Sequence, residues 1–179
     1  MTKYVALLRG IMPMNPNMKM EKIRGVFEKL GFHHVQSVIA SGNILFESHI
    51  TDQKQLETMI ETALPEHLGF TSTTIVRRRE QLQKMLEKNP FHGIEDTPHS
   101  RLQVTFLKNN PQPTIPFPYQ SEDGSYQILG LQDNALFSIL NPTITKTPDV
   151  MLWLEKQFGK QITTRTWKTV HKILTKLND

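Results

Sequence analysis

The 179-residue chain contains no cysteine. Disulfides, thiolate nucleophiles and finger-type zinc sites are thereby excluded, and the composition fits a reducing compartment. Long hydrophobic runs are also missing: the apolar stretch Tyr4–Leu8 is far too short to cross a bilayer. The opening "MTKYVALLRGI" lacks the charged lead-in and small-residue cleavage site of a secretory signal. A soluble cytoplasmic protein with no membrane partner is expected. Glycine is scarce, and there is no phosphate-binding glycine loop, dinucleotide fingerprint or HExxH motif. No cofactor or metal is therefore expected.

Catalytic clusters are equally thin. His33 and His34 are neighbours on an expected strand, so their side chains point to opposite faces and cannot share a metal. One is expected at an exposed edge and the other half-buried. Glu95, Asp96 and His99 share a loop with Pro98 and read as a solvated turn, because no orienting partner accompanies them. No nucleophile–base pair stands out, and the reading leans away from an enzyme.

What is present suits a packed fold. Hydrophobic residues make up 37% and charged residues 21%, without low-complexity tracts, so a core is expected and wholesale disorder is not. The net charge of +4 is mild, and its distribution says more. Lys160, Arg165, Lys168, Lys172 and Lys176 follow one another with no acid between them, and "VRRRE" (Val76 to Glu80) is the other dense cluster.

Periodicity divides the chain. Tyr4 to Ile11 reads as a strand. Met20, Ile23, Phe27 and Leu30 recur at helical spacing before a stop at Gly31. His33 to Ala40 and Ile44 to Ser48 read as strands joined by the "SGN" turn at 41–43. Thr51 or Asp52 can cap a helix with the stripe Leu56, Met59, Ile60, Ala63 and Leu64, and Thr71 to Arg78 closes the half as a strand. The order β-α-β-β-α-β is that of a ferredoxin-like antiparallel sheet over residues 1–80. "VALL" is apolar on both faces, so the side of the sheet away from the helices is expected to be covered too, with the second half as the cover.

Residues 81–179 read as a second α+β subdomain. It has a helix at 80–89, a strand at 102–107, and a proline-rich loop or lightly paired edge in "NNPQPTIPFPYQ". A hairpin turning near Asp133 and Asn134 follows, then a helix ending at Gly159. The last element, "TTRTWKTVHKILTKL" at 163–177, reads as a basic amphipathic helix capped by Thr164 or Thr166. Trp153 and Trp167 are expected mainly in the core. The fold class is α+β, with two closely packed tandem subdomains.

"YVALLRGI", "VIASGNILFES", "NPF" (89–91) and "TTRTWKTVHKILTKL", in this order, resemble the bacterial family catalogued as domain of unknown function 1697. The resemblance implies two tandem α+β subdomains, the first ferredoxin-like, and implies no activity. The chain departs from that pattern in the glycine-free loop "MPMNPNMK", in Thr166 after the arginine, and in "NPTITKTPD".

In a ferredoxin-like sheet the exit of the first strand meets the turn between the second and third. Arg9, Ser41 and Asn43 are then expected together, with Lys19 at the start of the first helix from the same edge. A helix start offers unpaired N–H groups and Arg9 a bidentate donor, so a small anionic ligand, such as a phosphate-bearing one, is expected there. Arg165 and Lys168 are a second basic contribution. Nucleic acid has weak support, because paired exposed aromatics are missing from the first strands. Two other readings stay open: an enzyme with an unrecognised site, and a protein-interaction module using the methionine-bearing loop 12–20. The sequence does not decide the oligomeric state.

Overall fold

The computed structural model describes residues 1–179. It contains two antiparallel sheets and five α-helices, none long and apolar enough to cross a membrane. The chain divides into two compact units, residues 1–84 with 171–179, and residues 85–170.

Unit 1 follows the order β1 (Thr2–Leu8), α1 (Met20–Lys29), β2 (His33–Ser37), β3 (Asn43–Ser48), α2 (Gln53–Leu68), β4 (Thr74–Arg78). The strands lie β2-β3-β1-β4, each pair antiparallel. Strand alternation decides the packing. Tyr4, Ala6 and Leu8 of β1 share one core with Ile23 and Phe27 of α1 and with Leu56, Ile60 and Leu64 of α2, so both helices lie on one face. Val5 and Leu7, on the opposite face, are also fully buried. The last nine residues return to this unit, where Lys3 Nζ donates to the Leu177 carbonyl at 2.9 Å. Asp52 caps α2 by accepting from the Lys54 N–H at 2.9 Å. His33 and His34 differ from expectation: both are exposed, because the strand pairing slips here and His34 takes a left-handed backbone (φ 49°).

β4 is an edge strand, and α2 covers its backbone. Glu61 Oε2 accepts from the Thr74 N–H at 3.1 Å, and Glu57 Oε1 from the Val76 N–H at 3.0 Å. Gln53 Nε2 donates to the Val76 carbonyl at 2.8 Å. The spacings match: four residues of helix rise about 6.0 Å, and two residues of strand about 6.6 Å. Glu57 is buried, and so is Arg77. Burial lowers the Arg77 pKa, while the Glu57 charge pulls it back up.

Unit 2 holds β5 (Arg101–Leu107), β6 (Tyr119–Gln120), β7 (Tyr126–Gln132), β8 (Ala135–Leu140) and β9 (Ile162–Thr166), ordered β6-β7-β8-β5-β9. Helix α4 (Thr147–Phe158) lays Val150, Leu154 and Phe158 on Leu107, Ile128, Leu136 and Leu140. The unit boundaries fall inside α3 (Arg79–Lys88) and α5 (Trp167–Asn178). Asp133 and Asn134 are both left-handed, as a two-residue hairpin turn requires. The proline-rich stretch is a loop ending in the two-residue edge strand β6.

The expected helix over 163–177 is corrected at its start. Ile162–Thr166 is a strand paired with β5, and the helix begins at Trp167. Ile162, Thr163, Thr164 and Thr166 are β-branched and favour the extended chain. Thr164 and Thr105 share a hydroxyl hydrogen bond at 2.8 Å. Thr166 then caps α5, accepting from the Thr169 N–H at 3.2 Å. Trp167 is buried against Phe91 (ring centroids 5.1 Å), as a core residue should be.

Between β6 and β7, Asp123 Oδ1 accepts from the Ser125 hydroxyl (2.6 Å), the Ser125 N–H (3.0 Å) and the Ser121 hydroxyl (2.8 Å). These donors, Ser125 first, lower its pKa from 3.8 to about 2.

Phe27 is fully buried and meets Phe32 and Phe46 edge-on, so Phe27→Ala should cost about 3–5 kcal/mol in denaturant unfolding. Glu57→Ala strands the Val76 N–H and removes the charge beside Arg77, and should cost about 1–3 kcal/mol in the same assay. The folded-state pKa of Asp123 lies below its ordinary value, so its contribution is complete above about pH 4 and is lost as pH falls through about 2. The Ser125 amide proton should report that titration by NMR, and Asp123→Asn should remove it.

Candidate functional site

Three strands of unit 1 stop short at one end of the sheet. Extended chain was expected through Ile11, Ala40 and from Thr71, but β1 ends at Leu8, β2 at Ser37, and β4 begins at Thr74. Gly42 shapes this end. Its carbonyl accepts from the Leu8 N–H at 2.8 Å, and its φ of 84° belongs to the left-handed region. A Cβ at this position would lie 2.9 Å from the Leu8 carbonyl oxygen and 2.8 Å from Ile11 Cγ1. Only glycine lets the turn press so close to the exit of β1.

The chain segments around that contact are tied together by backbone. The Arg9 N–H donates to the Thr73 carbonyl at 3.0 Å, and the Ser72 hydroxyl donates to the Arg9 carbonyl at 2.7 Å. The Met12 N–H contacts Met18 Sδ at 3.3 Å, folding the following loop back so that α1 begins from this end. Lys19 is the N-cap residue of α1 and makes no side-chain capping bond. Ile39, in the β2–β3 turn, is left-handed (φ 60°) although β-branched, and is 47% exposed, which marks a strained turn.

Sequence reasoning placed Arg9, Lys19, Ser41 and Asn43 at this end. Arg9 is half-buried, while Lys19 and Ser41 are exposed. Asn43 differs in kind. It is fully buried, and its Nδ2 donates to the Val38 carbonyl at 2.9 Å, so its amide holds the turn.

Arg165 and Lys168 lie in unit 2 on different elements. Arg165 is in β9, where its Nη1 donates to Thr163 Oγ1 at 2.7 Å and to the Thr164 carbonyl at 3.0 Å. Part of its surface stays in solvent, yet burial of the guanidinium pulls its pKa down to about 10, and it remains a cation at neutral pH. Lys168 is exposed in the first turn of α5.

Two cavities went unread in the sequence. In unit 1, Lys3, His34, Glu47 and Lys176 line a cleft of about 230 Å³, with His34 Nδ1 3.3 Å from Glu47 Oε2. In unit 2, Tyr119, Asp123, Asp149 and Trp153 line one of about 190 Å³. Trp153 packs against the unit 2 core as expected, but it is only half-buried, stacks on Tyr119 at 4.8 Å and lines this cavity. One available signal was its place beside the α4 stripe Val150, Leu154 and Phe158 instead of on it.

The solved structure of a conserved bacterial protein from Streptococcus pneumoniae is similar over 100% of this chain and 99% of its own, at 25% identity and a TM-score of 0.76. No curated protein matches the chain. The family described as "Protein of unknown function (DUF1697)" matches residues 1–137. On that match, over well more than half its length, the chain belongs to this family.

Proposed function

We propose that unit 1 is a ferredoxin-like binding module, not a catalyst, that takes a small anionic, phosphate-bearing ligand at the end of its sheet around Arg9, Lys19 and Ser41. One observation carries the reading. The segments meeting there, residues 9–20, 38–43 and 70–74, contain Arg9 and Lys19, the hydroxyls of Ser41, Thr71, Ser72 and Thr73, and no carboxylate. Glu61 reaches the same end from α2, where its Oε2 accepts from the Thr74 N–H at 3.1 Å. Segments that bring two cations and no acid of their own, with the start of a ten-residue helix, favour negative charge. Asn43 supports the turn from behind, and Arg165 and Lys168 form a second basic contribution on unit 2.

A second reading rests on a separate observation: Met12 and Met14 of the same loop are 58% and 93% exposed. Adaptable apolar side chains of this kind suit a protein partner.

Thermal-shift screening against inorganic phosphate, nucleotides, sugar phosphates and short oligonucleotides should find a phosphate-bearing compound that raises Tm. The stabilisation should reach about 2.7 kcal/mol at a hundredfold excess over Kd. Lys19→Gln should weaken binding and flatten its salt dependence while changing stability by less than about 0.5 kcal/mol. Arg9→Gln should abolish binding, and a loss of about 3–5 kcal/mol in that variant would instead identify Arg9 as half of a buried ion pair. If no phosphate compound moves Tm, or Lys19→Gln binds like the parent, the anion reading falls. Self-association lost in Met14→Ser would then favour the partner reading.

A further inference from the structure

The unit 2 cavity lies between the β6–β7 turn and the first turn of α4, and its chemistry is opposite to that of the edge just described. One wall is aromatic. Tyr119 and Trp153 stack at 4.8 Å with planes 22° apart, and Tyr126 meets the same indole edge-on at 6.0 Å. The other lining groups include two carboxylates, Asp123 and Asp149, and neither lysine nor arginine. Lys146, beside Thr145 in the chain, is exposed and does not line the cavity.

Packing accounts for part of this, since Tyr119 and Trp153 border the core beneath α4. Asp123 is held by the β6–β7 turn and Asp149 suits the first turn of α4, yet together they leave the cavity acidic beside a partly exposed indole, with no lysine or arginine in its lining. The hydroxyls of Ser121 and Ser125 are already donating to Asp123, so they are not donors awaiting a polyol. Those same donors keep Asp123 ionised throughout the physiological range. An anionic ligand would be repelled. A cation gains from both acids and from the negative electrostatic face of the rings. The volume, about 190 Å³, is below the roughly 300–1,000 Å³ of drug-sized pockets and suits a compact head group.

We propose that this cavity binds a methylated organic ammonium group, seated on Trp153 and Tyr119 and neutralised by Asp123 and Asp149. The group belongs either to a free amine or to a methylated lysine side chain.

The test is an NMR titration of the whole chain with tetramethylammonium chloride, with sodium chloride holding the ionic strength constant. The Trp153 indole N–H resonance should shift saturably, and that of Trp167, buried against Phe91, should not. tert-Butanol, neutral and similar in shape, should bind roughly tenfold more weakly. Asp149→Asn, at an exposed position where folding is not at risk, should weaken tetramethylammonium roughly two- to fivefold. A short trimethyllysine peptide separates the sources. Tighter binding than tetramethylammonium assigns the site to a modified protein, and equal or weaker binding assigns it to a free amine. An unmoved Trp153 resonance, equal binding of tert-butanol, or an unchanged affinity in Asp149→Asn would each overturn the proposal.

Discussion

The contact between Gly42 and the exit of β1 sets the geometry of unit 1. With the Gly42 carbonyl bonded to the Leu8 N–H, the β2–β3 turn closes over the end of β1 and leaves no room for a side chain. Arg9 still pairs with Thr73 in the register of β1 and β4, its carbonyl accepts from the Ser72 hydroxyl, and the chain then folds back through Met18 to start α1. The buried Asn43 amide fastens the same turn to Val38 from inside. The cations of the edge are thus held on a frame of backbone bonds, which cost no side-chain freedom to keep in place.

The far edge of the sheet is governed by a different constraint. An edge strand displays backbone groups that invite another chain, and proteins with sheets must blunt them. Here α2 does so with its own side chains, because its four-residue repeat keeps step with the two-residue repeat of β4. Burying Glu57 for this purpose would be costly if the carboxylate stood alone. Its bond to the Val76 N–H and the charge of Arg77 offset that cost.

Charge is grouped locally within each unit. One gathers cations and hydroxyls where three strands end, and the other gathers carboxylates around an aromatic pair. A net charge of +4 conceals this, because it sums over the whole surface. Both regions are made of turns and element ends, where side chains are not committed to a core.

Much of the fold was legible in the sequence by itself. Hydrophobic periodicity marked α1, α2 and α4, and Asp52, Gly31 and the Asp133–Asn134 turn punctuated the chain as expected, because these signals are local. That the exit of β1 and the β2–β3 turn share one end of the sheet was legible only through topology. Tertiary structure decided the rest. Residues 162–166 follow their β-branched preference as a strand because β5 offers an open edge, and pairing partners more than fifty residues apart leave no local trace. Asn43 became a turn brace and Trp153 a cavity wall for the same reason: burial is settled by which distant groups arrive. The bonds of Glu57 to Val76 and of Ser72 to Arg9 join positions 19 and 63 residues apart, and no pattern along the chain encodes them. Sequence specifies what each segment can bury, whereas the polar groups left over find partners only once the segments have packed.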